Sequence, residues 1–378
     1  MLFHITNISA FKQTVKLAIS FANSKNNTSS EQCVELSVED GVLMVSATNS
    51  LTAGKFYVNL EGGEYTNGSC LIHHTKLTAL LNKVVGKINY LKVYVENNML
   101  CFALLNLGSI SECLWSQTNA SISRSKFLSE TSYTVLAEDN NILAPYLLKL
   151  SSIAKSFDSS TINLKGTTDE LSISGKFGST GTHLYLSKLS SVGTISVSLP
   201  AHVFTNALSY LGNNLCLGYN SSNKWICFCS DKGIVSYSSL KTITSVDRTF
   251  DGIKNKLEVG GSVVVSRLEL DTAIDFHADG NYISLEGNTE GKLCIYSNTS
   301  KDPATLKITA GNSSSFVPVK VDLCCLKYAL SLTDNTCIGI LLEQRITYLA
   351  DTTIVILLIS SPDSADIDTT AILYTLIE

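Results

Sequence analysis

Six histidines, eleven cysteines and 33 acids give this 378-residue chain material for metal binding, nucleophilic catalysis or acid–base work. Their spacing supports none of these. His4, His73, His74, His183, His202 and His277 are scattered, and none stands in sequence beside a nucleophile and an orienting acid. Consecutive side chains on a strand or a helix point in different directions, so His73-His74 is expected to meet solvent or phosphate and not to share a metal. The cysteines include no CxxC pair and no Cys/His cluster at zinc spacing. Cys101, Cys294, Cys324 and Cys325 sit in apolar stretches, and Cys227 and Cys229 flank Phe228 on one face of a strand. All read as reduced core thiols, which implies a cytoplasmic protein. Gly287-Asn288-Thr289-Glu290-Gly291-Lys292-Leu293 is one residue short between its glycines for a P-loop and has Leu where Ser or Thr must hold magnesium, so it reads as a hairpin turn. Glu39 and Asp40 are adjacent acids at a turn, where they solvate a loop. No catalytic residue, metal or cofactor is assigned.

The chemistry that the spacing does support is attraction of phosphate. Six helical windows, 8–22, 74–87, 141–157, 201–211, 265–276 and 322–332, hold nine basic residues: Lys12, Lys16, Lys76, Lys83, Lys87, Lys149, Lys155, Arg267 and Lys327. Their acids are Glu269, Asp271, Asp275 and Asp322, so the windows carry +5 and the remainder −10 within a net charge of −5. Lys12 and Lys16 are i, i+4, and Lys76, Lys83 and Lys87 are i, i+7, i+11, each set a stripe beside an apolar face. Such stripes hold a nucleic-acid backbone without reading sequence. Arg267 is the one arginine among them, so no base-reading cluster is present.

The elements that carry these windows recur three times. An alternating strand, a tight turn and a second strand appear around Glu39-Asp40-Gly41, Thr168-Asp169-Glu170 and Thr289-Glu290-Gly291, offsets of about 129 and 121. Amphipathic segments recur at Leu71–Val85, Pro200–Leu211 and Val321–Leu332, offsets of 127 and 122. Polar-tipped hairpins recur at Tyr90–Leu104 over Asn97-Asn98, at Leu215–Cys229 over Asn220–Asn223, and at Cys337–Leu349 over Glu343-Gln344. Each repeat opens on a helical pattern, clearest in Ile8, Phe11, Val15, Ala18, Ile19 and Ala22. One repeat therefore reads as two helices and about eight strands in ~125 residues, an α+β unit with helices packed on antiparallel sheet. Polar linkers at 116–125 and 245–261 place the domains at 1–128, 129–256 and 257–378.

At 44% hydrophobic and 16% charged, with five prolines, the composition is globular. The longest apolar run, Ile354 to Ile359, is far short of the ~20 residues of a spanning helix, and residues 1–6 lack signal-peptide features, so no membrane association is expected.

Three such repeats in one acidic chain with basic helices resemble the bacterial β sliding clamp of DNA replication, over essentially the whole length. The more specific stretches are Asp40–Ser50 and Ser179-Thr180-Gly181-Thr182-His183-Leu184, the latter similar to the family's Thr-Asp-Gly-His-Arg-Leu element. The resemblance implies a head-to-tail homodimer closing into a ring around duplex DNA, placed there by an ATP-driven clamp loader and tethering the replicative DNA polymerase. It also implies a client-peptide cleft involving Leu164, Gly181, Leu184, Ile372, Leu373, Tyr374 and Leu376. The family's Met-Pro-Met-Arg-Leu type ending is here Tyr374-Thr375-Leu376-Ile377-Glu378, and its Phe-Pro-Asp-Tyr-Arg type stretch is Phe250-Asp251-Gly252-Ile253-Lys254. The third opening helix is acidic where the family's lining is positive. These departures point to a divergent bacterial, organellar or phage-borne clamp. Two other readings have no DNA role: a tandem-repeat β-rich binding protein whose units bury each other's edges, and a surface adhesin, suggested by triplets such as Asn67-Gly68-Ser69 and Asn119-Ala120-Ser121.

Overall fold

The computed structural model describes residues 1–22, 31–49, 51–60, 64–84, 90–106, 109–117, 134–137, 161–166, 170–177, 180–187, 195–212, 215–220, 225–238, 258–300, 302–311, 318–333, 343–350, 354–360 and 367–376. In chain order the first third gives β1 (Leu2–Ile5), α1 (Ile8–Ile19), β2 (Cys33–Glu39), β3 (Val42–Thr48), β4 (Thr52–Asn59), β5 (Gly68–His73), α2 (His74–Lys83), β6 (Tyr90–Glu96), β7 (Met99–Asn106) and β8 (Ser109–Gln117). The middle third gives β9 (Thr134–Ala137), β10 (Thr161–Gly166), β11 (Glu170–Phe177), β12 (Thr180–Ser187), β13 (Ile195–Pro200), α3 (Ala201–Leu211), β14 (Cys216–Asn220), β15 (Trp225–Ser230) and β16 (Gly233–Ser238). The last third gives β17 (Glu258–Ser266), α4 (Arg267–Phe276), β18 (Tyr282–Gly287), β19 (Lys292–Ser297), β20 (Ala304–Gly311), β21 (Val319–Asp322), α5 (Leu323–Leu332), β22 (Glu343–Ala350), β23 (Ile354–Ser360) and β24 (Ile367–Leu376). Each third thus supplies eight strands among the described residues.

Local chemistry accounts for the turns and helix starts. Asp40 (φ 48°) and Gly41 (φ 81°) make the two-residue turn between β2 and β3, and Asn97 and Asn98 (φ 48° and 59°) do the same between β6 and β7. Asn288 Oδ1 accepts the Glu290 and Lys292 amides at 3.0 and 2.9 Å, so the glycine-bearing 287–293 stretch is a hairpin turn. Asn7 caps α1 by accepting the Ala10 amide at 3.0 Å, and Asp322 caps α5 through the Cys325 amide at 2.9 Å.

Several elements differ from the sequence expectation. Helix α1 stops at Ile19, not Ala22, because Ser20 turns its hydroxyl back onto the Leu17 carbonyl at 2.6 Å. Helix α2 stops at Lys83, where Val84 leaves helical geometry (ψ 80°). Val265 and Ser266 belong to β17, with Ser266 capping α4. Glu343 and Gln344 are not a hairpin tip; they open β22, paired to Ser266 and Val265. Ser116 and Gln117 close β8, and residues 258–261 open β17, so these ends of the expected linkers are strand. The 141–157 helical window and the Thr168-Asp169 turn lie outside the described residues.

The chain forms two compact units, residues 1–144 with 206–239, and residues 145–205 with 240–378. In the first, a four-stranded sheet runs β1-β6-β7-β8 and an eight-stranded sheet runs β5-β2-β3-β4-β16-β15-β14-β9. Phe11 of α1 sits edge-on to Phe3 and Phe102, centroids 6.2 and 6.1 Å away, which docks the helix on the smaller sheet. In the second, one twelve-stranded sheet runs β13-β10-β11-β12-β24-β23-β22-β17-β20-β19-β18-β21. Its core gathers Val263, Val265, Leu270, Ile274, Leu285, Leu326, Leu330, Leu357 and Ile359 beneath α4 and α5. Strands from different repeats are direct neighbours: β4 pairs with β16, and β12 pairs with β24.

Candidate nucleic-acid interface and peptide cleft

The apolar face of α1 is buried through Phe11, Val15 and Ala18, which leaves its lysines on the outer side. The Lys12 ammonium donates to the Val84 carbonyl at 2.7 Å, just past the end of α2. Lys16, one turn further on, is exposed. Lys76 and Lys83 are exposed on α2, whose Leu77, Leu80 and Leu81 are buried. Lys87, Lys149 and Lys155 lie outside the described residues.

Between α1 and residues 206–210 of α3 opens a cleft of about 600 Å³, bordered by Ser9, Lys12, Gln13, Lys16, Leu17, Ser20, Asn206, Ser209 and Tyr210. An aromatic chain lies near it. Phe56, Phe21, Tyr237 and Phe228 touch in that order, tilted or edge-on, with centroids 5.8–6.3 Å apart. Tyr210 joins edge-on to Phe56 at 5.5 Å and hydrogen-bonds through its hydroxyl with Thr14 Oγ1 at 3.0 Å and the Tyr57 carbonyl at 3.4 Å. The sequence reading named Lys12 and Lys16 but missed Gln13, Asn206, Ser209 and Tyr210. Charge was the signal used, and these residues carry none.

His73 and His74 do come together, contrary to expectation: their rings stack at 4.8 Å and 25°. The chain passes from strand into helix between them, so neither alternation rule holds across the pair. His73 Nδ1 lies 2.8 Å from Thr75 Oγ1 and Nε2 lies 3.3 Å from Gln32 Oε1, so both its ring nitrogens are engaged. Burial, and secondarily His73, lowers the His74 pKa.

The thiols are mostly structural. Burial pushes the Cys70 thiol up to about 12 and Cys101 up to about 11. Cys229 Sγ donates to Cys227 Sγ at 3.6 Å; that contact, with burial, raises the Cys227 pKa. Cys324 is exposed on α5, not in the core.

In the last third two of the helix acids, Asp271 and Asp275, are partnered. Arg267 Nε donates to Asp271 Oδ2 at 2.7 Å and its Nη1 to the Leu330 carbonyl at 2.7 Å, and Lys327 reaches Asp275 Oδ1 at 2.9 Å. These contacts tie α4 to α5. Helix α4 nevertheless shows solvent two large apolar side chains, Leu268 (76% exposed) and Phe276 (72%).

Backbone register places the expected peptide-cleft residues on neighbouring strands: Leu164 pairs with Ile173, Ile173 with Leu184 and Leu184 with Thr369 across β10, β11, β12 and β24, while Gly181 pairs with Ile372. Leu373, Tyr374 and Leu376 pair with Leu357, Ile356 and Ile354 of β23. Leu164 is buried.

No protein-family profile and no curated protein sequence matches the chain. Solved structures do. The DNA polymerase sliding clamp of Bacillus subtilis superposes with a TM-score of 0.74 at 13% identity, covering 100% of both chains. The Helicobacter pylori β clamp bound to a DNA ligase peptide gives 0.73 at 12%, and the DNA polymerase β subunit of Streptococcus pyogenes 0.72 at 12%, again covering 100% of each chain. Over its whole length, and at a sequence divergence that hides it from sequence comparison, the chain has the fold of the bacterial β sliding clamp.

Proposed function

We propose that this protein is a DNA sliding clamp, a processivity factor that encircles duplex DNA without reading sequence and tethers the replicative polymerase and other clients. The carrying observation is the full-length correspondence of fold with bacterial clamps, in a chain whose first-third helices hold lysines and no acid. Clamp domains would span 1–128, 129–256 and 257–378. Lys16, Lys76, Lys83, Lys87, Lys149 and Lys155 would act as mobile phosphate contacts, and Lys12 as a contact held on the Val84 carbonyl. Helix α4 carries Glu269, Asp271 and Asp275, and the two basic residues of these helices, Arg267 and Lys327, are engaged with Asp271 and Asp275, so the last third would contribute little to DNA contact.

Strand pairing supports a head-to-tail dimer. The fourth strand of the first repeat (β4) pairs with the eighth of the second (β16), and the fourth of the second (β12) with the eighth of the third (β24). In the last third β20 is already flanked by β17 and β19, whereas β8 ends its sheet and shows Ile110 (61% exposed) and Trp115 (44%). A second copy packed on the β8 edge would cover these apolar side chains, and a head-to-tail contact used twice would close a ring of two copies. A closed ring requires an ATP-driven loader to open it. The H. pylori clamp is bound to a DNA ligase peptide, which supports client-peptide binding by this chain; its cleft would lie around β12 and β24.

Negative-stain electron microscopy of the purified protein tests this. Closed rings of two chains around a hole wide enough for duplex DNA are expected. Monomers or straight rods persisting well above micromolar concentration would leave a tandem-repeat binding protein as the better reading.

A further inference from the structure

We propose that the cleft between α1 and the C-terminal half of α3 is a discrete seat for the phosphodiester backbone of the encircled duplex. Lys16 is its cation, and Gln13, Asn206 and Ser209 are its neutral donors. The inference rests on the clamp reading and adds to it a defined place of engagement, in which uncharged residues matter as much as lysines.

The cleft persists because the residues facing across it are too polar to pack as a helix–helix core, so the gap of about 600 Å³ stays open. Its floor is rigid, since the Tyr210 hydroxyl is held by Thr14 and Tyr57 and its ring by Phe56. At one side the Lys12 ammonium is anchored on the Val84 carbonyl, which leaves Lys16 as the more mobile charge. Two lysines and no acid border the space, which selects an anion. Amide and hydroxyl donors at fixed positions suit phosphate oxygens, and such contacts position a backbone without reading bases. Tyr210 is the aromatic side chain at the border and its edge is already engaged, so no stacking platform for bases is offered. From Ser9 to Ser20 the α1 wall runs about 16 Å at ~1.5 Å per residue. That matches roughly five nucleotides of one strand at ~3.4 Å each.

The test is fluorescence anisotropy with a labelled linear duplex of about three helical turns at low salt, which needs no ring closure. Ser209→Asp and Asn206→Asp put a negative charge in the cleft without removing a lysine, and each is expected to weaken binding about tenfold, comparable to a lost charge-assisted contact. Lys16→Glu should weaken it and lower the salt slope by about one phosphate. Lys292→Glu, on an exposed hairpin of the last third, should change nothing, and all variants should keep the wild-type unfolding midpoint. Wild-type affinity in both Asp variants, an equal loss in Lys292→Glu, or no duplex binding by the wild-type chain would overturn the proposal. Cleft-dependent duplex binding by a protein that forms no rings would uphold the cleft and remove the clamp reading.

Discussion

Gly233 lets two repeats share a sheet. A Cβ built there would stand 2.4 Å from the Lys55 carbonyl oxygen and 3.0 Å from Phe56 Cα, both backbone atoms of β4, and the residue sits at φ 155°. Gly233→Ala must therefore push β16 from β4, and a loss of about 1–3 kcal/mol is expected in urea denaturation, the usual cost of overpacking. An unchanged midpoint would mean that the junction is loose. His4 gives a signed pH dependence. Burial first, and Lys92 second, lower its pKa, while Tyr90 hydroxyl meets its Nδ1. The unfolded chain then binds the proton more readily, so its contribution is complete above pH ~6.5 and declines as pH falls below that value. His4→Phe is expected to flatten the fall in thermal midpoint between pH 7.5 and 5.5; a slope identical to wild type would remove His4 from it. Asn97-Asn98 and Asp40-Gly41 announced their turns in the sequence because a left-handed turn has a local composition. Gly233 announced nothing, since its requirement comes from a strand some 180 residues away.

Among elements, the amphipathic helices were readable from spacing and their ends were not, because Ser20 and Val84 end their helices through local geometry and not through a break in hydrophobic period. The exposed Lys327–Asp275 pair should contribute little, about 0.2–1 kcal/mol. Lys327→Ala is thus expected to leave duplex binding intact, whereas Lys76→Glu with Lys83→Glu should weaken retention at moderate salt, measured on the same duplex. Equal effects would contradict the division of labour between first- and last-third helices. For the proposed peptide cleft, the sequence names candidate residues but not their strand partners, because register is a tertiary fact. Leu184 pairs with Thr369, and Thr180 with Leu373, across β12 and β24. Tyr374→Asp and Leu184→Asp are each expected to abolish binding of a DNA ligase peptide while leaving the oligomer intact. Peptide binding unaffected by either would move the docking site elsewhere. Ile110→Lys with Trp115→Lys on β8 should turn dimers into monomers in analytical ultracentrifugation; persistent dimers would exclude that edge.

At the scale of the molecule, the threefold recurrence near 125 residues was visible in the sequence because each copy must rebuild the same turns and the same buried stripe. What the sequence did not carry is that strands pair across repeats, so that the middle third divides its strands between two compact units. That sharing makes each junction a continuous sheet and leaves β8 as a sheet edge open to another chain. The central proposal is topological: retention comes from DNA passing through a closed ring, to which surface contacts such as the α1–α3 cleft add only salt-sensitive affinity. A linear duplex biotinylated at both ends tests it most directly, with the protein added either before or after streptavidin blocks the ends, followed by a high-salt wash. Salt-resistant retention only when the protein is added first is the expected result, because a ring threads over a free end and is trapped by blocked ones. Equal retention in both orders, or complete loss in both, would contradict encirclement.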